Sequence, residues 1–265
     1  MVELSHGTDL SLAPTLGPVV RQLGGTVRRA VDRMAEAGFS AVQLDATLKG
    51  IRPRELDRSG RRDLHALVRR RGASPAGLDC FIPRSHYTST EHGERALAAT
   101  LEAIELAGDL GRLVVSLSLP IETLPTDAAR AIVDAADRHD VRLAVHAPQE
   151  QHALMQWIDA VDLPALGAGL DPASALARGE DPCQIAQQLA NRLTVARLSD
   201  LQADNGEGTR CAVGSGQLDV PAYRVSVDLA ERRAGPVVLE LRHLTAPLAA
   251  MHQGAARWKN AAFSA

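Results

Sequence analysis

Aromatic residues are scarce. Phe, Tyr and Trp together make up 3% of the 265 residues, too few for the stacking platforms on which single-stranded nucleic acids bind. Positive charge is not in excess either. The 29 Lys+Arg against 32 Asp+Glu give a net charge of −3, and no basic tract or stripe stands out, which argues against a dedicated nucleic-acid binder. Cysteine is limited to Cys80, Cys183 and Cys211, with no CxxC pair, and an odd, scattered set fits a reducing compartment. The opening MVELSHGTDLSLAP has neither a charged n-region nor a long apolar run. No segment approaches the ~18 apolar residues of a membrane span. The expectation is a soluble, cytoplasmic protein with no membrane or nucleic-acid partner; its oligomeric state is open. Two signatures of chemistry are missing as well. No GxGxxG follows an early strand, which disfavours a dinucleotide fold, and no GxSxG follows a strand, which disfavours a Ser-His-Asp hydrolase.

What is present is an alternation of two periods. Val27, Ala30, Val31 and Met34 share one helical face, with Gly38 as a stop signal. SAVQLDA then reads as a strand. Ser59 is placed to cap a helix carrying Leu64, Leu67 and Val68, and Gly72 ends it before the strand SPAGLDCF. Leu97, Leu101 and Ile104 mark the next helix, before the strand RLVVSLS. Helices over 126–139, 150–160, 182–191 and 221–233 lead into VRLAVHA, ALGAGLD, LTVARLSD and PVVLELR. VELSHG reads as the opening strand, and a last helix covers 245–262. Eight strands, each spaced about 25–40 residues from the next, suit βα units and favour a (β/α)8 TIM barrel in a single domain, 1–265. The longest piece without structure, 201–218, follows the seventh strand, and a loop of that length on a compact scaffold is usually functional.

Side chains alternate across a strand. In VRLAVHA, Leu143 and Val145 oppose Ala144 and His146. In ALGAGLD, Leu166, Ala168 and Leu170 oppose Gly167, Gly169 and Asp171. In TVARLSD, Ala196 and Leu198 oppose Val195, Arg197 and Ser199. In PVVLELR, Val237, Leu239 and Leu241 oppose Val238, Glu240 and Arg242. The larger apolar sets suit the helix layer. His146, Asp171, Arg197 and Glu240 then point into the barrel from four successive strand ends, where barrel active sites sit. The parity predicts that Arg197 faces Asp171 and Glu240, offsetting the repulsion of two carboxylates desolvated together. Other readings stay open at this point: Asp171 opens DPASALA and could cap that helix, and the four residues could be a structural ion-pair cluster. Gly214 and Gly216 can present N–H groups to an anion, or simply make a tight turn. His6, Asp45, Asp79 and His86 are further candidates for the mouth, each equally a cap or a loop residue.

AEAGFSAVQLD, GLDPASALARGEDP, LTVARLSD, AVGSGQLDVPAY and GPVVLELR together resemble the sugar phosphate isomerase/epimerase family, the xylose isomerase-like TIM barrels, from about Thr26 to Arg242. The most specific part is LSD, a polar loop, GSGQLD, a helix and a strand ending in Glu. The resemblance implies a divalent metal held by Glu, Asp, His and Glu from four strands. The matching positions are His146, Asp171, Arg197 and Glu240, so His146 stands in place of a Glu and Arg197 in place of a His. Gln43 and Ser174 also stand where family members often have Glu and His. If Mn, Mg or Zn is held, its ligands are His146, Asp171 and Glu240. A guanidinium ~5 Å from a divalent ion repels it by about 6–7 kcal/mol at an effective dielectric constant of ~20, so Arg197 is expected to stand in for the metal. By the same resemblance Arg210 contacts substrate.

The expected function is isomerisation or epimerisation of a sugar, sugar phosphate or related polyol by proton transfer. Glu240 would be the base, His146 the acid or its orienter, and Arg197 or a metal the stabiliser of the oxyanion; Arg210, Gly214, Gly216, His6 and Asp79 would bind substrate. Two alternatives belong to other classes. One is a non-catalytic or metal-free homologue that binds a small carbohydrate-like ligand. The other is a metal-free lyase or dehydratase.

Overall fold

The computed structural model describes residues 12–204, 208–230 and 235–262. These described residues form ten strands: β1 (Leu12–Pro14), β2 (Ala41–Asp45), β3 (Ser74–Cys80), β4 (Val115–Ser118), β5 (Leu143–His146), β6 (Leu166–Leu170), β7 (Leu193–Leu198), β8 (Asp200–Gln202), β9 (Thr209–Cys211) and β10 (Val237–Leu239). Between them lie α1 (Leu16–Gln22), α2 (Val27–Glu36), α3 (Arg58–Arg69), α4 (Arg84–Tyr87), α5 (Gly93–Asp109), α6 (Thr126–Arg138), α7 (Gln151–Val161), α8 (Pro172–Leu176), α9 (Pro182–Leu189), α10 (Val220–Leu229) and α11 (Pro247–Ala261). Eight strands form one parallel sheet in the order β1-β10-β7-β6-β5-β4-β3-β2. A parallel bridge between Thr15 and Gln43 brings its two ends together. The fold is the expected (β/α)8 barrel.

Helix starts are built from short acidic or hydroxyl side chains that accept otherwise unpaired N–H groups. Thr26 accepts from Arg29 N at 3.4 Å, Asp181 from Cys183 N at 2.8 Å and Asp219 from Ala222 N at 3.0 Å. The cap of α3 is Asp57, which accepts from Gly60 N at 2.7 Å; Ser59 lies inside the first turn. Past the ends of α2 and α3, Gly38 and Gly72 take φ +87° and +72°, a left-handed conformation that costs glycine little.

Strand parity is as expected. Leu143, Val145, Leu166, Ala168, Leu170, Ala196, Leu198, Val237, Leu239 and Leu241 lie in the large core between sheet and helices. Val114, Ala144, Val195 and Val238 form a separate buried cluster on the parity that carries the polar strand ends. Two expectations change. Among the described residues of the stretch 201–218 there is an antiparallel strand pair, with Asp200, Leu201 and Gln202 opposite Cys211, Arg210 and Thr209, so this piece is not wholly without structure. VELSHG lies outside the described residues, and the barrel position beside β10 belongs to β1.

Candidate active site

The C-terminal ends of the parallel strands surround a cavity of about 150 Å³. His146, Asp171, Arg197 and Glu240 all line it, joined by Asp79, Arg210, Arg242 and Arg178. Apolar wall is supplied by Phe81, Leu117, Pro148, Leu154, Ile185 and Leu189. No helix among the described residues is long and apolar enough to cross a membrane.

At the floor Arg197 donates from Nη1 to Glu240 Oε2 (2.8 Å) and from Nη2 to Asp79 Oδ1 (2.7 Å). Arg242 donates from Nη1 to Asp79 Oδ2 (2.6 Å) and from Nη2 to Glu240 Oε2 (2.5 Å). The Arg242 backbone N–H and Nε also reach Glu240 Oε1, at 2.9 and 3.0 Å. The guanidinium of Arg242 lies over the half-exposed Phe81 ring, 4.9 Å from its centroid, a cation–π contact at the rim. Behind the strand, Tyr223 Oη on α10 donates to the Arg197 carbonyl at 2.8 Å. Burial would raise the Glu240 carboxyl, but Arg242 and then Arg197 outweigh it and hold it at about 2. Burial pushes Asp79 up in spite of the same two cations.

Asp171 sits apart from that group. It accepts from Arg210, from Ser199 Oγ at 2.5 Å and from Ser174 Oγ at 3.0 Å. Burial is again the largest influence, but Arg210 overrides it and keeps the carboxyl well below the usual range. Arg197 therefore pairs with Asp79 and Glu240; the partner of Asp171 is Arg210, not Arg197 as the parity predicted. Asp171 occupies the N-cap position of α8 without a side-chain cap bond. Ser199 Oγ takes that place, accepting from Ala173 N at 3.1 Å, and frees the carboxylate for the cavity.

His146 is buried, and among the described residues neither ring nitrogen has a hydrogen-bond partner; nor has Arg197 Nε. Burial, followed by the charge of Arg197, moves the imidazole pKa well below its ordinary value, so the ring is neutral at pH 7. It lies against Gly169: a Cβ there would come within 2.3 Å of His146 Cε1 and Nε2.

Several sequence-derived candidates sit elsewhere. The Gly214 and Gly216 amides both donate to Asp200 Oδ2, at 2.9 Å each, so they are not presented to a ligand. Asp200 also accepts from Leu218 N at 2.9 Å. Its buried carboxylate therefore organises the GSG turn, and the turn reading replaces the anion-site reading. Asp45 accepts from Thr47 N and Oγ1, a local turn outside the cavity lining. His86, on α4, packs beside His92 just before α5 and does not line the cavity. His6 lies outside the described residues. Arg242 is not among the sequence-derived site candidates, although it shares the inward parity of Glu240 two residues earlier in PVVLELR, which is the signal that could have found it.

The divalent metal that the resemblance implies can be tested against these donors. The described residues contain no group of three or more His, Cys, Asp or Glu side chains arranged to hold an ion. Asp79 and Glu240 direct their oxygens at two guanidiniums, and His146 ligates nothing in common with them. As arranged, the donor set does not fit a divalent ion.

A profile of the xylose isomerase-like TIM barrel family matches residues 31–261, and the chain belongs to that family. It is 25% identical over 117 residues to a 3-oxo-isoapionate decarboxylase of Pectobacterium atrosepticum, covering 41% of this chain; the chain spans 42% of that relative's length. It is also similar to a xylose isomerase-like TIM barrel protein of Mycobacterium smegmatis, solved in complex with magnesium, with TM-score 0.72 and 15% identity over 96% of both chains. A third is a D-psicose 3-epimerase of Clostridium cellulolyticum H10, solved with D-tagatose, with TM-score 0.68 and 10% identity over 89% of this chain and 92% of that one. At such identities these structures share the fold.

Proposed function

We propose that this protein binds a small carbohydrate-like ligand in the barrel-mouth cavity and acts on it as an isomerase or epimerase, by proton transfer beside a carbonyl. The observation that carries the reading is the convergence of His146, Asp171, Arg197, Arg210 and Glu240 on one cavity with apolar walls. That is the composition of a small-molecule site, at the end of the barrel where catalysis is built. Hydroxyl and carbonyl oxygens suit the abundant N–H donors, and the His146 and Arg197 nitrogens that have no partner among the described residues are where a ligand oxygen or water would complete the hydrogen bonding.

Proton transfer needs a group that can accept a proton and a cation near the oxygen that gains charge. Neutral His146 supplies the lone pair. Glu240 is ill-suited as base, because both of its oxygens already accept from Arg197 and Arg242. Arg197 faces the developing negative charge of an enediolate-like state, and Arg210, set by Asp171, helps hold the ligand. The test is incubation with aldoses, ketoses and their 3-epimers in D₂O, following proton exchange at the carbon beside the carbonyl by NMR, alongside melting with the same sugars. A second reading, ligand binding without turnover, is favoured by the arginine-locked state of Asp79 and Glu240. It predicts stabilisation by a sugar without exchange. Neither exchange nor stabilisation across the panel overturns both readings.

A further inference from the structure

The cavity floor is a closed circuit of four charges. Each of Arg197 and Arg242 bonds both Asp79 and Glu240, and each carboxylate meets both guanidiniums, all between 2.5 and 2.8 Å. All four residues are buried or nearly so: side-chain exposure is 10% and 12% for the arginines and 6% and 2% for the acids. Two fixed positive charges thus balance two negative ones, which is the electrostatic task a divalent ion performs between two carboxylates. An ion entering here would have to take oxygens already bonded and stand beside two cations that cannot give up a proton.

We infer that Arg197 and Arg242 together are a built-in replacement for the divalent ion, and that this family member works without metal. Arg242 is then a functional residue in its own right. It neutralises the carboxylate pair from the Glu240 strand end while Arg197 does so from β7. What the floor offers a ligand oxygen is a guanidinium N–H in a fixed direction, not an open coordination position. The inference rests on the proposed function for the location of the site and not for turnover, so the sugar experiments and those below fail separately.

The full chain, purified without chelator, is analysed for Mn, Zn, Fe and Mg and then melted with EDTA and with Mn²⁺. Far less than one metal per chain and an unchanged melting temperature in both additions are expected. About one equivalent of metal, or a drop in melting temperature with EDTA, overturns the inference. Arg197→His and Arg197→Met expose the carboxylate pair to one remaining guanidinium. Each should bind Mn²⁺ at least ~10-fold more tightly than the parent, read from the loss of the free-Mn²⁺ EPR signal. A folded variant that binds Mn²⁺ no better than the parent overturns it too. If neither variant folds, the metal content and melting of the parent decide.

Discussion

Gly169 has no side chain, and the His146 ring occupies the space that a Cβ would take, 2.3 Å from two ring atoms. Gly169→Ala should therefore displace the imidazole and cost about 1–3 kcal/mol, as overpacking does, with loss of any proton exchange; urea unfolding and the D₂O assay check the two effects. His146 itself makes a prediction about pH. Its folded pKa lies well below 6.5, so the unfolded chain binds more protons there than the native one. The stability that keeps the ring neutral is fully present above about pH 6.5 and is lost as pH falls towards the depressed folded value, with a slope of up to about 1.4 kcal/mol per pH unit. His146→Gln should flatten that part of the stability–pH curve and lower exchange by at least ~10²-fold. The inward direction of His146, Arg197 and Glu240 is legible in the sequence because the strand period is two. The neutrality of His146 is not legible, since it follows from burial and from the neighbouring Arg197.

The strand pair formed by β8 and β9 shows the same division at the level of an element. LSD and GSGQLD stand out in the sequence as a connected pattern, but the connection is a single carboxylate. Asp200 accepts from Gly214, Gly216 and Leu218 N–H groups, and a Cβ at Gly216 would meet Asp200 Oδ1 and the Leu201 carbonyl at 2.4 Å. Arg210 lies on β9 opposite Leu201, so the turn that Asp200 holds also sets the height of Arg210 over Asp171. Asp200→Ala leaves several N–H groups without their acceptor, at roughly 1–3 kcal/mol for each that stays buried. It should destabilise the fold by at least about 3 kcal/mol in chemical denaturation. In a folded preparation at low temperature it should also weaken sugar binding, through the loss of Arg210 placement. Asp200→Asn, which keeps an acceptor oxygen, should retain part of both.

Across the whole molecule, barrel closure and site assembly are one event. Thr15, at the seam that joins β1 to β2, accepts from Leu241 N at 3.0 Å and donates to Glu240 Oε1 at 3.4 Å. Three of the four ion pairs at the floor join residues 43, 118 and 163 positions apart. Acid should therefore attack the site and the fold together. Glu240, held at about 2 against an ordinary value of 4.5, contributes stability that is fully present above about pH 4.5 and is lost as pH falls towards 2. The integrated effect is roughly 3 kcal/mol. Acid titration by circular dichroism should show a steep loss in that window for the parent. Glu240→Gln should be less stable at pH 7, because it leaves Arg197 and Arg242 short of a partner, and its acid limb should be shallower.

The sequence by itself determined the barrel, because alternating periods of two and 3.6 repeat along the chain and each βα unit is local. It also determined which face of β5, β6, β7 and β10 carries the polar ends, because parity is a property of each strand alone. Only the tertiary structure decided which cation meets which acid. Arg197 took Asp79 and Glu240, Asp171 went to Arg210, and Arg242 joined the floor. Those choices depend on the register between strands, on the curvature that brings β3 across from β7, and on which side chains are long enough to span the mouth. None of these is a local property of the chain.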